Sequence, residues 1–208
     1  MKILIACEFS GIVREAFNSL NAGHTVYSCD LLPTDIEGNH IQGDVLKIIN
    51  DGWDLIIAHP PCTHLSVSGA ARWAEKVADG RQPAAIKFVE NIWDADCPLI
   101  AIENPVGALS SRSKLGKATQ YIQPYEFGHA EQKKTGLWLK GLPKLVPTDV
   151  VDVSNLPDNQ RQRLHYLPPS KDRWKLRSLT FPGIAKAMAE QWGNLGQEAL
   201  QTNLFKVL

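Results

Sequence analysis

The chain of 208 residues lacks the paired cysteines that announce a metal or disulfide framework. Its four cysteines, Cys7, Cys29, Cys62 and Cys97, are widely spaced, with no CxxC pair and no cluster of cysteine with histidine. Neither a disulfide nor a structural metal is expected from that pattern. Missing too is any apolar run near the ~20 residues a membrane helix requires, so no membrane span is expected. The short apolar run in MKILIACEF has no small-residue cleavage site behind it, which points away from a signal peptide and toward a cytoplasmic protein. No charge of one sign predominates, because Lys plus Arg equals Asp plus Glu at 22 each. Overall charge therefore gives no support for a nucleic-acid partner. Internal repeats and low-complexity tracts are absent as well, which excludes solenoid architectures.

What the chain does contain is an alternation of apolar runs and helical periodicity. KILIACEF ends in Ser10 and Gly11, after which Ile12, Val13, Ala16, Phe17 and Leu20 recur at helical spacing until Gly23. HTVYSCD reads as a second strand stopping at Asp30, and a third apolar stretch follows Gly43 and Asp44. WDLIIAHPPC is a strand running into a Pro-Pro break, residues 83 to 93 carry helical periodicity, and PLIAIENP is a strand closed by proline. Such alternation predicts a Rossmann-like α/β fold, a mostly parallel sheet with helices on both faces. Beyond Tyr125, GLWLKGLPKL reads as an antiparallel hairpin, and residues 145–180 read as a short, loop-rich insert. GIAKAMAEQW forms a last helix before a polar tail. The length suits one domain over residues 1–208. From Glu131 to Arg177 ten Lys or Arg face five acids, a bias that suits a phosphate backbone or, equally, a solvated surface.

In an open parallel sheet ligands bind beyond the carboxyl ends of the strands, so residues just after each strand carry the chemistry. Asp30 is placed to accept hydrogen bonds from ribose hydroxyls, and Gly11 lets a ligand approach the backbone. Together they point to a nucleoside-containing cofactor, although an ordinary loop acid is the competing reading of Asp30. Cys7, Cys29 and Cys97 suit buried structural roles, whereas Cys62 sits in the Pro-Pro turn, exposed above the sheet. A thiolate there is suited to attack carbon 6 of a pyrimidine, making carbon 5 reactive toward an electrophilic methyl group. That chemistry needs an acid near ring nitrogen 3, and Glu103 is the candidate, its alternative being a turn-capping carboxylate beside Asn104. His59 and His64 read as ordinary loop histidines with the capacity to tune the thiol. Trp138, Trp174 and Trp192 read as core residues, with base stacking as the alternative. Arg161, Arg163, Arg173, Lys175 and Arg177 are candidates for phosphate or base contacts.

These motifs, in this order, resemble the cytosine-C5 DNA methyltransferase family, especially its short phage and prophage members. The likeness runs from residue 4 to about residue 140 and again from 181 to 193. FSGI is similar to the family's cofactor loop, which implies cofactor contacts from Phe9, Ser10 and Gly11. The acid of YSCD, Asp30, matches a ribose-binding acid, and GDV implies that Asp44 contacts the adenine of S-adenosylmethionine. PCTHLS resembles the nucleophile loop, with Cys62 as the catalytic thiol, Pro60 beside the cofactor and Ser66 beside the substrate. ENPVG resembles the segment in which Glu103 and Asn104 hold the cytosine. EQKKTG is similar to the stretch that touches the base, placing Lys134 where an arginine is usual and Gly136 in place of a second one. FPGIAKAMAEQWG resembles the closing helix. Val13 and Arg14 depart from the usual glycine of the cofactor loop, and residues 145–180 leave no room for a full target-recognition domain. The resemblance implies a class I methyltransferase fold, S-adenosylmethionine as cofactor, and DNA as partner with its cytosine flipped out or single-stranded. A homodimer or partner would supply sequence recognition. Two other readings stay open: a Rossmann-like transferase acting on a free pyrimidine nucleotide, and a non-catalytic binding subunit.

Overall fold

A computed structural model describes residues 1–195. Runs rich in Ile, Leu and Ala form the central strands β1 (Lys2–Ala6), β4 (Leu55–Ala58) and β5 (Leu99–Pro105), flanked by β2 (Thr25–Asp30) and β3 (His40–Gln42). All five are parallel. Two further strands, β6 (Gln120–Ile122) and β7 (Thr135–Lys140), complete a seven-stranded sheet of order β3-β2-β1-β4-β5-β7-β6. Strand β7 runs antiparallel to both of its neighbours. The sheet is therefore mostly parallel and Rossmann-like.

Successive residues of a strand point to opposite faces, and here both faces are dry. Ile3 and Ile5 join a core with Val13 and Phe17 of α1 (Ile12–Asn18) and with Ala185, Met188 and Trp192 of α8 (Pro182–Trp192). Leu4 and Ala6 join the opposite core with Trp53, Trp138 and residues of α3 (Arg81–Trp93), whose Val89 and Ile92 are fully buried. Between the principal elements lie α2 (Trp73–Ala78) and α4 (Leu109–Arg112). Helix α8 starts at Pro182, where the missing N–H belongs to an unpaired first turn anyway.

Several expectations need correction. GLWLKGLPKL is not a hairpin. Strand β7 pairs instead with β5 and with the upstream β6, while Pro143 and Pro147 remove ladder donors from the segment beyond it. That segment is held by a side chain, since Leu145 N–H donates to Gln120 Oε1 (2.8 Å) and Gln120 Nε2 donates to the Leu145 carbonyl (2.7 Å). The apolar stretch after Asp44 is a 3-10 turn, Val45–Lys47, and the third strand precedes it. Residues 145–180 contain three short helices, α5 (Asp158–Arg161), α6 (Arg163–Tyr166) and α7 (Arg173–Ser178). Trp138 and Trp192 are core residues as read, but Trp174 is 56% exposed. Most of the polar tail, residues 196–208, lies outside the described residues. Among the described residues no helix is long and apolar enough to cross a membrane.

Candidate active site at the switch point of the sheet

Strand order reverses between β1 and β4, which opens a crevice above their carboxyl ends. A cavity of about 610 Å³ lies there, reached by the loops after β1, β2 and β4 and by the 145–180 segment.

The loop after β1 is locked before any ligand arrives. Cys7 adopts a left-handed conformation (φ 58°), turning the chain sharply at the strand end. Glu8 then folds back, its carboxylate accepting from the Val13 N–H (2.7 Å) and the Ser10 hydroxyl (3.1 Å) at the start of α1, where helix amides favour an anion. Gly11 (φ 75°) is required, since a β-carbon there would press on both the Arg14 guanidinium and Ile36. Arg14 is fully buried and donates to Ser28 Oγ (2.9 Å) and to the carbonyls of Ile36 (2.5 Å) and Glu37 (3.2 Å). Arg14 is thus a brace that ties α1 to the loop after β2. Phe9, Ser10 and Asp30 line the cavity, and Asp30 Oδ1 accepts from the Leu32 N–H (3.0 Å). Gly11 shapes the loop without lining the cavity, and Asp44 lies outside the lining, accepting from the Leu46 N–H (3.0 Å) as the cap of its 3-10 turn.

The loops after β4 and β5 are fastened to each other. Val67 N–H donates to the Val106 carbonyl (2.9 Å) and Ala108 N–H to that of Leu65 (2.7 Å), an approach open only because Gly107 has no β-carbon to overlap the Leu65 carbonyl. Asn104 Nδ2 donates to the Pro60 carbonyl (2.8 Å). Both residues are buried and outside the cavity lining, and their contact braces the loop after β4 against β5. The buried Lys76 donates to the Thr63 carbonyl (2.7 Å), and Gln82 to that of His64 (2.9 Å). On this scaffold Cys62 is exposed and lines the cavity together with Ser66.

Behind Cys62 stand two titratable groups. His59, only 8% exposed at its side chain, places Nδ1 3.1 Å from Glu103 Oε2, and Glu103 is 18% exposed. His59 is therefore no ordinary loop histidine, which corrects the sequence reading. It lines the cavity and Glu103 does not. Although burial opposes ionisation of Glu103, its hydrogen bond with His59 and the Lys133 charge outweigh that and hold its carboxyl below the usual range. The Cys62 thiol is raised, first by desolvation among the surrounding protein and then by the Glu103 charge, with Lys133 and Arg177 pulling the other way. Cys7 is pushed far up by burial, and Cys29 to about 11 by burial and then Asp30, which suits inert thiols.

Of the two adjacent lysines, Lys133 and not Lys134 reaches the cavity. Lys133 lines the cavity and donates to the Arg177 carbonyl (3.0 Å), whereas Lys134 lies over the Tyr121 ring, 4.9 Å from its centroid. Gly136 is buried within β7. From the 145–180 segment, Leu164, His165, Trp174 and Arg177 line the cavity, and Trp174 meets Phe9 at 5.9 Å between ring centroids. The three arginines assigned to substrate have internal partners. Arg161 pairs with Asp158, Arg163 with Glu131 (2.8 Å), and Arg173 donates to the carbonyls of Leu167 (2.7 Å) and His165 (3.1 Å).

Sequence reasoning thus missed Lys133 as a lining residue and missed the partner of His59, while it set Glu8 at the end of the first strand without a role and gave Trp174 to the core with base stacking as the alternative. Glu8 had a visible signal as the first acid past β1. Among the described residues no group of three or more His, Cys, Asp or Glu is arranged to hold a metal ion. Fold and cavity together define a Rossmann-like α/β protein with a cavity at its switch point. Compared with models of known protein families and with curated proteins, the chain matches none.

Proposed function

We propose that the protein is an S-adenosylmethionine-dependent methyltransferase that modifies carbon 5 of cytosine in DNA through a covalent Cys62 adduct. One observation carries this reading: an exposed cysteine after β4 opens into the same cavity as Phe9, Ser10 and Asp30 on the β1 and β2 side. A nucleophile and a nucleoside-binding strand end in one space are what a group transfer onto a base requires.

The lining fits S-adenosylmethionine by its chemistry. Asp30 ends β2 and suits ribose hydroxyls, Phe9 and Leu32 offer apolar contact, and Glu8 and Asp30 give this end of the cavity the negative charge a sulfonium and an ammonium prefer. When bound, that cofactor supplies the electrophilic methyl carbon. Everything else falls to the chain. Cys62 adds to carbon 6, the Glu103 and His59 pair supplies a proton to the ring, and Lys133 favours the thiolate. A base in a duplex must leave the stack to reach Cys62. Residues 145–180 are too few for a full recognition domain, so a second copy or a partner would sharpen the choice of sequence.

A free pyrimidine nucleotide is the second reading, favoured by the internal pairing of Arg161, Arg163 and Arg173. The test incubates the protein and S-adenosylmethionine with DNA carrying 5-fluorocytosine, whose fluorine cannot leave as a proton does. A denaturant-stable adduct at Cys62 is expected. Methylation without an adduct overturns the covalent route, and an adduct with 5-fluoro-dCMP but never with DNA moves the nucleotide reading ahead.

A further inference from the structure

We infer that His59, through its Nε2 atom, is the group that passes a proton to ring nitrogen 3 of the pyrimidine, with Glu103 as the carboxylate that orients it. The inference rests on the methyltransferase reading above and assigns the acid within it.

Four observations meet at this side chain. His59 leaves β4 three residues before Cys62, its N–H tied to the Ala6 carbonyl (2.9 Å), so its backbone is fixed by the sheet. Its Nδ1 faces Glu103 at 3.1 Å. With the carboxylate ionised, Nδ1 carries the hydrogen, which leaves Nε2 to exchange the mobile proton. Nε2 is buried and has no hydrogen-bond partner among the described residues, a costly state for a polar atom unless something else meets it. Finally, His59 lines the cavity with Cys62, whereas Glu103 is outside the lining. A base seated against Cys62 meets the imidazole before the carboxylate. The arrangement is that of a carboxylate holding a histidine in the productive tautomer.

The addition step then balances with a single proton. Cys62 loses its thiol proton to Nε2, and Sγ forms a bond to carbon 6. The carbon 5–carbon 6 π pair shifts to carbon 4–carbon 5, and the carbon 4–nitrogen 3 π pair moves onto nitrogen 3. Nitrogen 3 takes the proton from Nε2, so His59 ends neutral and the adduct carries the nucleophilic carbon 5. Glu103 remains ionised throughout, in keeping with its depressed acidity range. The groups that set the pH response of His59 are Glu103 on β5, Cys62 on its own loop and Lys133 before β7. Cys7 and Glu8 follow the adjacent strand β1, and Asp30, His165 and Arg177 also line the cavity.

The test compares wild type, His59→Gln, His59→Ala and Glu103→Gln for adduct formation on 5-fluorocytosine DNA across pH, with S-adenosylmethionine affinity and melting temperature as controls. His59→Gln is expected to slow addition by about 10² to 10⁴ and to erase one limb of the pH–rate profile, at unchanged cofactor affinity. Added imidazole should restore part of the rate of His59→Ala, which leaves a gap in the cavity wall, and none of that of Glu103→Gln. A His59→Gln protein with the wild-type rate and pH profile overturns the assignment, as does His59→Ala that folds yet gains nothing from imidazole. Nitrogen NMR of the free wild-type protein decides independently of variant folding. Hydrogen on Nδ1 with Nε2 titrating is expected, and a neutral form protonated at Nε2 overturns it. Wild type that forms no adduct sinks the methyltransferase reading itself, a result distinct from a wild type that reacts and a His59→Gln that reacts equally well.

Discussion

The Cys62 loop after β4 and the 145–180 segment both line one cavity, yet they are built by different means. Around Cys62 the backbone is zipped to the neighbouring loop, and three buried polar side chains, Lys76, Gln82 and Asn104, donate to its carbonyls. The other segment holds helices of four, four and six residues, too short to be stable without packing. It contributes few buried apolar residues, chiefly Leu145, Val153 and Leu164, and rests on arginine contacts to carbonyls and carboxylates. Chemistry that needs a side chain within a fraction of an ångström is placed on strand ends, while a closing surface tolerates looser construction. Mobility on the microsecond scale and slower is therefore expected in the short-helix segment before it appears in the Cys62 loop.

The largest expected effect lies on the rigid side. Cys62→Ser should abolish the fluorocytosine adduct on denaturing gels while calorimetry finds cofactor affinity unchanged, and a surviving adduct would place the nucleophile elsewhere. Next comes Glu103→Gln, which should slow transfer by about 10² to 10⁴. The same variant sharpens the electrostatic picture without any substrate. The Glu103 charge raises the Cys62 thiol and Lys133 lowers it, so Glu103→Gln should speed alkylation by iodoacetamide at neutral pH and Lys133→Ala should slow it. For the same reason wild-type alkylation should climb with pH through and above the ordinary thiol range.

At the β2 end of the cavity, the proposed function predicts that Asp30→Ala weakens S-adenosylmethionine binding by about 1.5–3 kcal/mol, the range for a hydrogen bond to a charged group, measured by calorimetry. Trp174→Ala, in the short-helix segment, loses only a tilted contact with Phe9, worth about 0.5–1.5 kcal/mol beyond area burial. If it costs more than Asp30→Ala, the short-helix segment holds ligand rather than merely covering it. The smallest effect is expected from Arg161, Arg163 and Arg173 replaced together by alanine. Because these arginines already have internal partners, the slope of DNA affinity against salt should barely change. A slope reduced by about 0.9 for each arginine would show phosphate contacts and collapse the distinction between the two sides.

Much of the rigid side is visible in the amino-acid order. LIIA and LIAIENP are strands because each opens on four consecutive apolar residues and meets a proline within three residues of that run, and Cys62 stands out because Pro60 and Pro61 stand just before it. Strands β3 and β6, three residues each, offer too short a run to read. GLWLKGLPKL carries the alternation and turn residues of a hairpin, but its partner lies upstream and pairing is a property of the sheet. Lys133 and Lys134 are adjacent and chemically alike. One step along an extended chain sends one into the cavity and the other over Tyr121.

The sequence by itself determined the alternating elements, the acid that ends β2, the cysteine after β4 and the acid near the end of β5, because each depends on a local run and its terminator. Tertiary structure decided that His59 faces Glu103, since that contact exists only because β4 and β5 pair in parallel register. It likewise decided that Arg14 is a buried brace and that Trp174 meets Phe9. In each case the partners lie many residues apart, and side-chain type alone carries no record of which strand ends the sheet will set side by side.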